Sequence, residues 1–296
     1  MKLNPATQPR QQISSFAREI KIAEDQMKIF SRLVRTEKWQ GVEADRSMAT
    51  YELRHYVMRC LMPTEDLQFY RDEIQPNCPW ADDHFEKDRV CGEPLNPGET
   101  WQSWPYGHSA NKFRDDNGQF NHSYAERYWP KFAGRTDKGE LSETVYDFRP
   151  GSDQEHDAPT NSGIRYPYGD LADVVKQLAR EPHTRQAILP VFFPEDTGAV
   201  HGGRVPCSLF YQFLVRNNEM DVSYVIRSCD MVRHFRDDIY LTVRLLLWIL
   251  AECRKLNPFF NDIKPGSFVM LITSLHMFQN DALRIYGGPI GDQAGR

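Results

Sequence analysis

The chain has 296 residues, 40% hydrophobic and 26% charged, which is the composition of a globular protein with a sizeable core. Its formal net charge of −5 argues against direct binding of nucleic acid, because surfaces that bind a duplex are usually basic. Six irregularly spaced cysteines without a CxxC pair, together with the lack of a long apolar run, predict a reduced, soluble cytoplasmic protein that has no membrane partner.

The first half of the chain predicts one helix and one strand before a long irregular stretch. After a polar leader over residues 1–12, apolar residues recur at helical spacing over 13–34, and alternation over 48–62 predicts a strand. Residues 77–161 are rich in Pro, Gly, Asp and aromatic residues with little periodicity, which is typical of functional loops or an insertion. We expect a single domain over 13–296 that carries this insertion.

The second half predicts alternating helices and strands. Helical periodicity covers residues 171–180 and 240–254, and the second of these is apolar nearly all round, which indicates a buried helix. Strands are predicted over 187–193, 208–215, 220–226 and 268–272. Asn217-Asn218 between two of these strands predicts a hairpin turn. Helices packed on a mainly antiparallel or mixed sheet make the fold class α+β.

Cys207 is the candidate nucleophile. It follows Gly202-Gly203-Arg204-Val205-Pro206 and stands at the mouth of a predicted strand. A thiolate at such a junction, with arginines nearby in sequence, can be activated for attack on an electrophile. A lone cysteine is more often a small buried hydrophobe, so this position alone leaves both interpretations open.

The sequence around Cys207 resembles the nucleophile segment of the thymidylate synthase superfamily. Pro206-Cys207 precedes a strand containing Gln212-Phe213, and Arg227-Ser228-Cys229-Asp230 follows on the next strand. The resemblance implies a thymidylate synthase-like fold in which one sheet face forms a homodimer interface with shared active sites. It also implies a pyrimidine nucleoside monophosphate as substrate and 5,10-methylenetetrahydrofolate as co-substrate.

The reaction of this family requires a cysteine. C5 of a pyrimidine is a poor nucleophile until a group adds at C6, and a thiolate adding there allows C5 to attack a one-carbon donor. The resemblance therefore implies that Cys207 is the nucleophile. It implies that Glu73 is the carboxylate that orders water and moves protons near the base, and that Tyr124 helps to remove the C5 proton.

The resemblance also implies a set of binding residues. Substrate-binding roles fall on Arg46, Arg185, Gln212, Arg227, Ser228, Asp230 and His276. The arginines and Ser228 would bind the phosphate, with Arg185 reaching across a dimer interface, and His276 would bind the sugar. Trp101 and Asp230 would contact the folate, and no metal ion is required. Two positions depart from the family pattern: Gln186 replaces a second arginine, and Phe278 replaces a tyrosine that binds the sugar.

Asp238 is the informative position for the choice of base. Family members that act on uracil have asparagine there, whose amide donates to O4 and accepts from N3–H. Cytosine offers a 4-amino donor and an N3 acceptor, which a carboxyl matches when either it or N3 is protonated. The segment Phe235-Arg236-Asp237-Asp238 resembles phage deoxycytidylate hydroxymethylases. This resemblance implies hydroxymethylation of dCMP, with water in place of a hydride in the last step.

Several alternatives remain at this point. Within the family they are a CMP hydroxymethylase of antibiotic biosynthesis, against which Ser228 argues, and a thymidylate synthase acting on dUMP. A catalytically silent homologue that serves as a binding scaffold is an alternative from another class. The acidic pair that ends at Asp238 could simply begin a helix. A zinc site at Cys78, His84 and Cys91 is also conceivable, although a fourth ligand is not evident.

Overall fold

A computed structural model describes residues 14–34, 49–130, 169–199 and 204–291. Some sequence predictions therefore fall outside the described residues: the leader over 1–12, the phosphate role of Arg46, the 131–161 part of the insertion, and Gly202-Gly203. Within the described segments, no helix has both the length and the hydropathy needed to cross a bilayer.

Six strands of the described chain form one mixed sheet. They are β1 Arg32–Val34, β2 Thr50–Leu61, β3 Ile188–Pro190, β4 Ser208–Arg216, β5 Glu219–Asp230 and β6 Lys264–Phe278. Their order across the sheet is β1-β2-β6-β5-β4-β3. The β5–β6 pair is parallel and the other neighbouring pairs are antiparallel. The two central strands therefore end at the same edge of the sheet.

Helices pack against this sheet. They are α1 Phe16–Phe30, α2 Leu67–Ile74, α3 Trp80–Asp83, α4 Gly107–Ala110, α5 Tyr124–Tyr128, α6 Leu171–Arg180, α7 Phe235–Leu256 and α8 Gln279–Tyr286, with a π-helical turn over His84–Arg89. The long helix α7 follows β5 directly and packs against β5 and β6. The predicted α+β class is therefore confirmed.

The two faces of the sheet differ in burial. Alternate residues of β5, including Met220, Val222 and Tyr224, are buried in the core. On β2 and β6, Val57 and Leu271 are cross-strand partners and share the opposite face, since paired residues point to the same side. Their exposed fractions are 52% and 37%, which is high for apolar residues in the middle of a sheet.

The element boundaries show where tertiary context outweighs local pattern. The predicted helix over 13–34 ends at Phe30, because Ser31 is extended and Arg32–Val34 pairs with β2. The predicted strand over 187–193 keeps only Ile188–Pro190. Helix α7 begins earlier than predicted, at Phe235, and β6 is longer than predicted because it pairs along both of its edges.

The predicted hairpin is confirmed. Arg216 pairs with Glu219, so Asn217-Asn218 form a two-residue turn between β4 and β5. Both asparagines have positive φ (51° and 59°), as a type I′ turn requires. This turn sets the register that places Cys207, just before β4, opposite the end of β5.

Candidate active site

Cys207 lies directly before β4 and is held to β5. Its side chain is half-buried and contacts the core. Its carbonyl accepts a hydrogen bond of 2.9 Å from the Arg227 amide. The Arg227 guanidinium donates to the carbonyls of Pro206 and Val205, at 2.9 Å each, and so fixes the turn before the cysteine. A firmly held thiol that solvent can still reach suits a nucleophile.

A chain of hydroxyl groups lies beside Cys207. Ser208 donates to the Tyr124 hydroxyl at 3.0 Å and lies 2.5 Å from the Tyr224 hydroxyl. Because Ser208 has a single proton, which it gives to Tyr124, Tyr224 is the donor to Ser208. The Tyr124 proton is then available to a ligand. Burial, and after it the neighbouring Cys207, raises the pKa of Tyr124, so its hydroxyl keeps that proton at neutral pH.

A capping box positions Tyr124 at the start of α5. Ser123 accepts from the Glu126 amide at 3.1 Å, and the Glu126 carboxyl accepts from the Ser123 amide at 2.7 Å. The same carboxyl oxygen accepts from the Asn96 side-chain amide at 3.0 Å. Burial raises the pKa of Glu126 to about 7. The orientation of Tyr124 thus depends on a buried carboxyl that titrates near neutral pH.

The first turn of α7 carries two acidic residues with different partners. The Asp237 carboxylate accepts from the backbone and side-chain amides of Asn77, at 2.8 Å each. Asp238 has a weaker neighbour, the Cys229 thiol at 3.5 Å. Burial raises the pKa of Asp238 to about 7; Arg89 lowers it and Asp237 raises it. Asp238 therefore has both protonated and ionised forms near neutral pH.

Sequence reasoning missed three residues that interact with Asp238, namely Arg89, Tyr211 and Tyr224, and also Tyr128, which accepts a hydrogen bond from Arg89. Tyr211 and Tyr224 stack with ring centroids 4.4 Å apart. Both occupy inward positions of alternating strands, so periodicity could have indicated them. Arg89 lies in the aperiodic stretch over 77–161, where no sequence pattern marks an inward side chain.

Ser228 and His276 meet at the ends of β5 and β6. The Ser228 hydroxyl lies 3.4 Å from His276 Nδ1, and burial lowers the pKa of His276. Phe278, which lacks the hydroxyl of the expected tyrosine, lies under the Arg233 guanidinium at 4.8 Å. The structure thus brings both predicted polar residues together and adds a cation that the sequence did not indicate.

The Asp230 carboxylate forms hydrogen bonds within the turn that joins β5 to α7. Its carboxylate accepts from the amides of Val232 and Arg233, at 2.9 and 3.1 Å, and from the Arg233 guanidinium at 2.5 Å. Arg233 also forms an ion pair with Asp281 at 2.7 Å. The Asp230 carboxylate therefore organises the turn into α7, and its predicted contacts with base and folate would use the backbone or exchange one of these bonds.

Of the two tryptophans Trp101 and Trp104, it is Trp104 that contacts the start of α7. Trp104 stacks on His234, the residue before α7, with ring centroids 4.8 Å apart. Burial lowers the pKa of His234 to about 4, so this stack is uncharged at neutral pH. Trp101, the predicted folate contact, packs instead edge-on against Phe120 at 5.5 Å, with Arg114 over its ring.

Three predicted residues lie away from Cys207. Glu73 on α2 accepts from the Ala17 amide at 3.1 Å, and no described contact joins it to Cys207 or Tyr124. Its catalytic role therefore lacks geometric support. Gln212 donates to the Arg185 carbonyl at 3.0 Å, and Arg185 itself is exposed. These two residues lie together near β3, and their substrate roles remain predictions.

The other cysteines have structural environments. Cys229 is buried, and burial raises its pKa well above the usual range, so it is a poor alternative nucleophile. At the proposed zinc position, both ring nitrogens of His84 are occupied, Nδ1 by Asp88 at 3.0 Å and Nε2 by Arg89 at 3.1 Å. Among the residues that the structure describes, no group of three or more potential ligands is gathered for a metal ion.

Comparison with known proteins gives a consistent assignment. Residues 96–286 match the thymidylate synthase family. A deoxyuridylate hydroxymethyltransferase of Bacillus phage SP01 is 25% identical over 186 residues, which is 62% of this chain and 39% of that protein. A bifunctional dihydrofolate reductase-thymidylate synthase of Zea mays is 29% identical over 113 residues, 38% of this chain and 20% of that protein. The chain thus spans well under half the length of these relatives.

A solved structure supports the fold. The thermostable thymidylate synthase A from Bacillus subtilis superposes with a TM-score of 0.51 at 17% identity, covering 92% of this chain and 83% of that one. At this identity the likeness concerns the arrangement of helices and strands.

Proposed function

Because the chain belongs to the thymidylate synthase family, we propose that it uses 5,10-methylenetetrahydrofolate and water to convert dCMP into 5-hydroxymethyl-dCMP. The observation that supports cytosine as the base is Asp238, a carboxyl with a pKa of about 7 that shares the neighbours Tyr124 and Cys229 with the candidate nucleophile. The proposal is built from what each side chain around Cys207 can do.

Cys207 forms the covalent bond of the proposed reaction. Its sulfur adds to C6 of cytosine, the electrons of the C5=C6 bond move to C4–C5, and those of C4=N3 move to N3. N3 then needs a proton, which an un-ionised Asp238 supplies. C5 becomes an enamine carbon that attacks the one-carbon donor. Arg227 supports this step by fixing the turn that carries Cys207.

Asp238 matches cytosine in hydrogen bonding as well as in acidity. In its neutral form, its O–H donates to N3 and its carbonyl oxygen accepts from the 4-amino group. A general acid works best when its pKa lies near the working pH, and that of Asp238 is about 7. An asparagine at this position could form two hydrogen bonds but could not give up a proton.

The remaining groups suit the one-carbon donor and the later steps. Trp104, stacked on His234, and Tyr106, whose hydroxyl donates to the Val232 carbonyl at 3.5 Å, offer aromatic faces for a pterin ring. The folate would supply a carbon at the oxidation level of formaldehyde. Tyr124, which keeps its proton, would act on the C5 proton through its hydroxyl and an intervening water.

A homodimer is the proposed assembly. Val57 and Leu271 on the outer sheet face are 52% and 37% exposed, and Ile188 on β3 is 42% exposed. An apolar sheet face of this kind is stable when a second copy covers it. Arg185 is exposed close to this face, so it could reach the nucleotide phosphate bound by the partner chain.

Hydroxymethylation of dUMP is the second candidate. It is favoured by the name of the phage relative, a deoxyuridylate hydroxymethyltransferase. A neutral carboxyl at Asp238 can also pair with uracil, donating to O4 and accepting from N3–H. The two bases differ in the chemical step, because attack on cytosine places the new charge on N3 and attack on uracil places it on O4.

A substrate panel tests the proposal. Release of tritium from C5 is measured for dCMP, CMP and dUMP with 5,10-methylenetetrahydrofolate, and the mass of the product distinguishes a hydroxymethyl from a methyl group. We expect dCMP to have the highest kcat/KM and to give the hydroxymethyl product. A higher value for dUMP would replace the proposal with the second candidate. Tritium release from none of the three would refute the family reaction for this chain.

A further inference from the structure

Arg89 is a buried cation beside the candidate active site. It is 5% exposed and lies at the end of the π-helical turn His84–Arg89, ahead of the segment that matches the family. Its Nη1 donates to the Tyr128 hydroxyl at 3.3 Å, and its guanidinium lies 4.5 Å from the centre of the Tyr124 ring. A buried arginine is costly unless its charge has a use.

Two residues of the same turn orient this guanidinium. Arg89 Nε donates to His84 Nε2 at 3.1 Å, so that nitrogen carries no proton. The proton of a neutral His84 must then be on Nδ1, which lies 3.0 Å from Asp88 Oδ2. Burial lowers the pKa of His84 and favours this neutral form. Asp88 is itself held by the amides of Glu99 and Thr100.

The charge of Arg89 acts on Asp238. The groups that face Asp238 are Arg89, Asp237 on its own helix, Cys229 on β5, and Tyr124, Tyr211 and Tyr224. Of these described neighbours, Arg89 is the cation, and it opposes the effects of burial and of Asp237. The hydrogen-bonded chain Asp88–His84–Arg89 therefore holds a fixed positive charge that favours the ionised form of the carboxyl proposed to meet the base.

We propose that Arg89, oriented by His84 and Asp88, is a positioning residue that stabilises the carboxylate left on Asp238 once its proton has passed to N3 of the pyrimidine. The inference rests on the proposed function. In the step concerned, the Cys207 S–C6 bond forms, C4=C5 replaces C5=C6, and N3–H replaces the O–H of Asp238. The carboxylate that results still accepts from N3–H and from the 4-amino group.

Removal of the Arg89 charge should affect proton transfer more than binding. Without the cation, Asp238 stays neutral over a wider pH range and still pairs with cytosine, so KM should change little. It becomes a weaker acid, so kcat should fall, roughly three- to tenfold for a general acid whose pKa rises by about one unit. A group that served only as part of the pocket wall would alter KM or folding instead.

The experiment compares Arg89→Met, which keeps the length of the side chain, with Arg89→Lys, which keeps its charge. kcat and KM for dCMP are measured from pH 5.5 to 9, with folding checked by circular dichroism. In the wild type, kcat/KM should fall above a pH of about 7 as Asp238 loses its proton. In Arg89→Met this fall should occur about one pH unit higher or more, whereas Arg89→Lys should follow the wild type.

A second pair of variants covers the case in which Arg89→Met does not fold. His84→Gln retains an acceptor for Arg89 Nε, whereas His84→Leu removes it. We expect the pH profile to be displaced in His84→Leu only. An unchanged profile in the folded Arg89→Met protein, or equal behaviour of the two His84 variants, would overturn the inference. If wild-type protein releases no tritium from any pyrimidine nucleotide, the proposed function itself fails, which separates the two results.

Discussion

Replacement of Asp238 by asparagine tests the assignment of the base most directly. The fold should tolerate this change. The backbone bonds of Asp238, from its amide to the His234 carbonyl and from Thr242 to its own carbonyl, are both 2.7 Å and do not involve the carboxyl. The carboxyl contact with the Cys229 thiol, at 3.5 Å, is weak. We therefore expect the free energy of unfolding at neutral pH to be at least that of the wild type, because asparagine removes the cost of ionising a buried carboxyl whose pKa is raised to about 7.

The expected loss of kcat in Asp238→Asn follows from the inability of an amide to act as a general acid. By turning over, an asparagine can pair with either cytosine or uracil, so KM for dCMP should change modestly. It cannot protonate N3, and a positioned general acid contributes about 10²–10⁴-fold to rate, or roughly 3–5 kcal/mol. We expect kcat for dCMP to fall by at least about a hundredfold, while kcat for dUMP is kept or increased.

The assay is tritium release from C5 of both nucleotides over a range of pH. For dCMP, the wild-type decrease of kcat/KM above a pH of about 7 should be absent in Asp238→Asn, because the titrating group is gone. Discrimination is judged by the ratio of kcat/KM values for the two substrates. An unchanged ratio, or a persisting decrease near pH 7 in the variant, would show that Asp238 does not recognise the base.

Other residues give independent tests. Cys207→Ala should abolish turnover with nucleotide affinity kept, as measured by calorimetry; substantial residual activity would refute its role. Mixing Cys207→Ala with Arg185→Ala should restore some activity, since one site of the mixed dimer has both groups; no gain despite subunit exchange would refute a shared site. Glu73→Gln should retain most activity, and a hundredfold loss would return Glu73 to the mechanism. The raised pKa of Glu126, about 7, means that the folded state holds its proton more tightly than the unfolded state, so stability falls by roughly 1.4 kcal/mol per unit from about pH 5 to 7. Asp238, whose pKa is also raised to about 7, causes a decrease of its own. Glu126→Gln should therefore make the decrease in urea unfolding shallower by about 1.4 kcal/mol per pH unit, and an unchanged slope in the variant would contradict the role of Glu126.

The sequence was informative where a residue and its neighbours along the chain form one unit. Cys207 directly precedes β4 and Arg227 lies on β5, and both strands and the turn between them can be predicted from the sequence, so the hydrogen bond between these two residues could be expected. The surroundings of Glu73 could not be read from the sequence, because its carboxylate accepts from the Ala17 amide at the start of α1, 56 residues earlier in the chain. Local pattern carries no information on such a distant partner.

The aperiodic stretch over residues 77–161 shows most clearly what the sequence could not predict. Arg89 lies at the end of a π-helical turn, and its partners Tyr124 and Tyr128 lie on a separate short helix. The position of each depends on packing between segments without periodicity. The two tryptophans differ less from the prediction. The motif indicated the correct region, but Trp104 and not Trp101 stacks on His234.

The two adjacent acids of α7 have a consequence for how such a protein can evolve or be redesigned. Asp237 anchors the helix to Asn77, whereas the carboxyl of Asp238 has only the weak contact with Cys229 among the residues that the structure describes. Under the proposed function, attachment of the helix and choice of the base fall on separate neighbouring residues, so one can vary without loss of the other. A library that randomises position 238 alone should yield mostly folded proteins that can be selected directly for altered bases, whereas a library at position 237 should consist largely of destabilised ones.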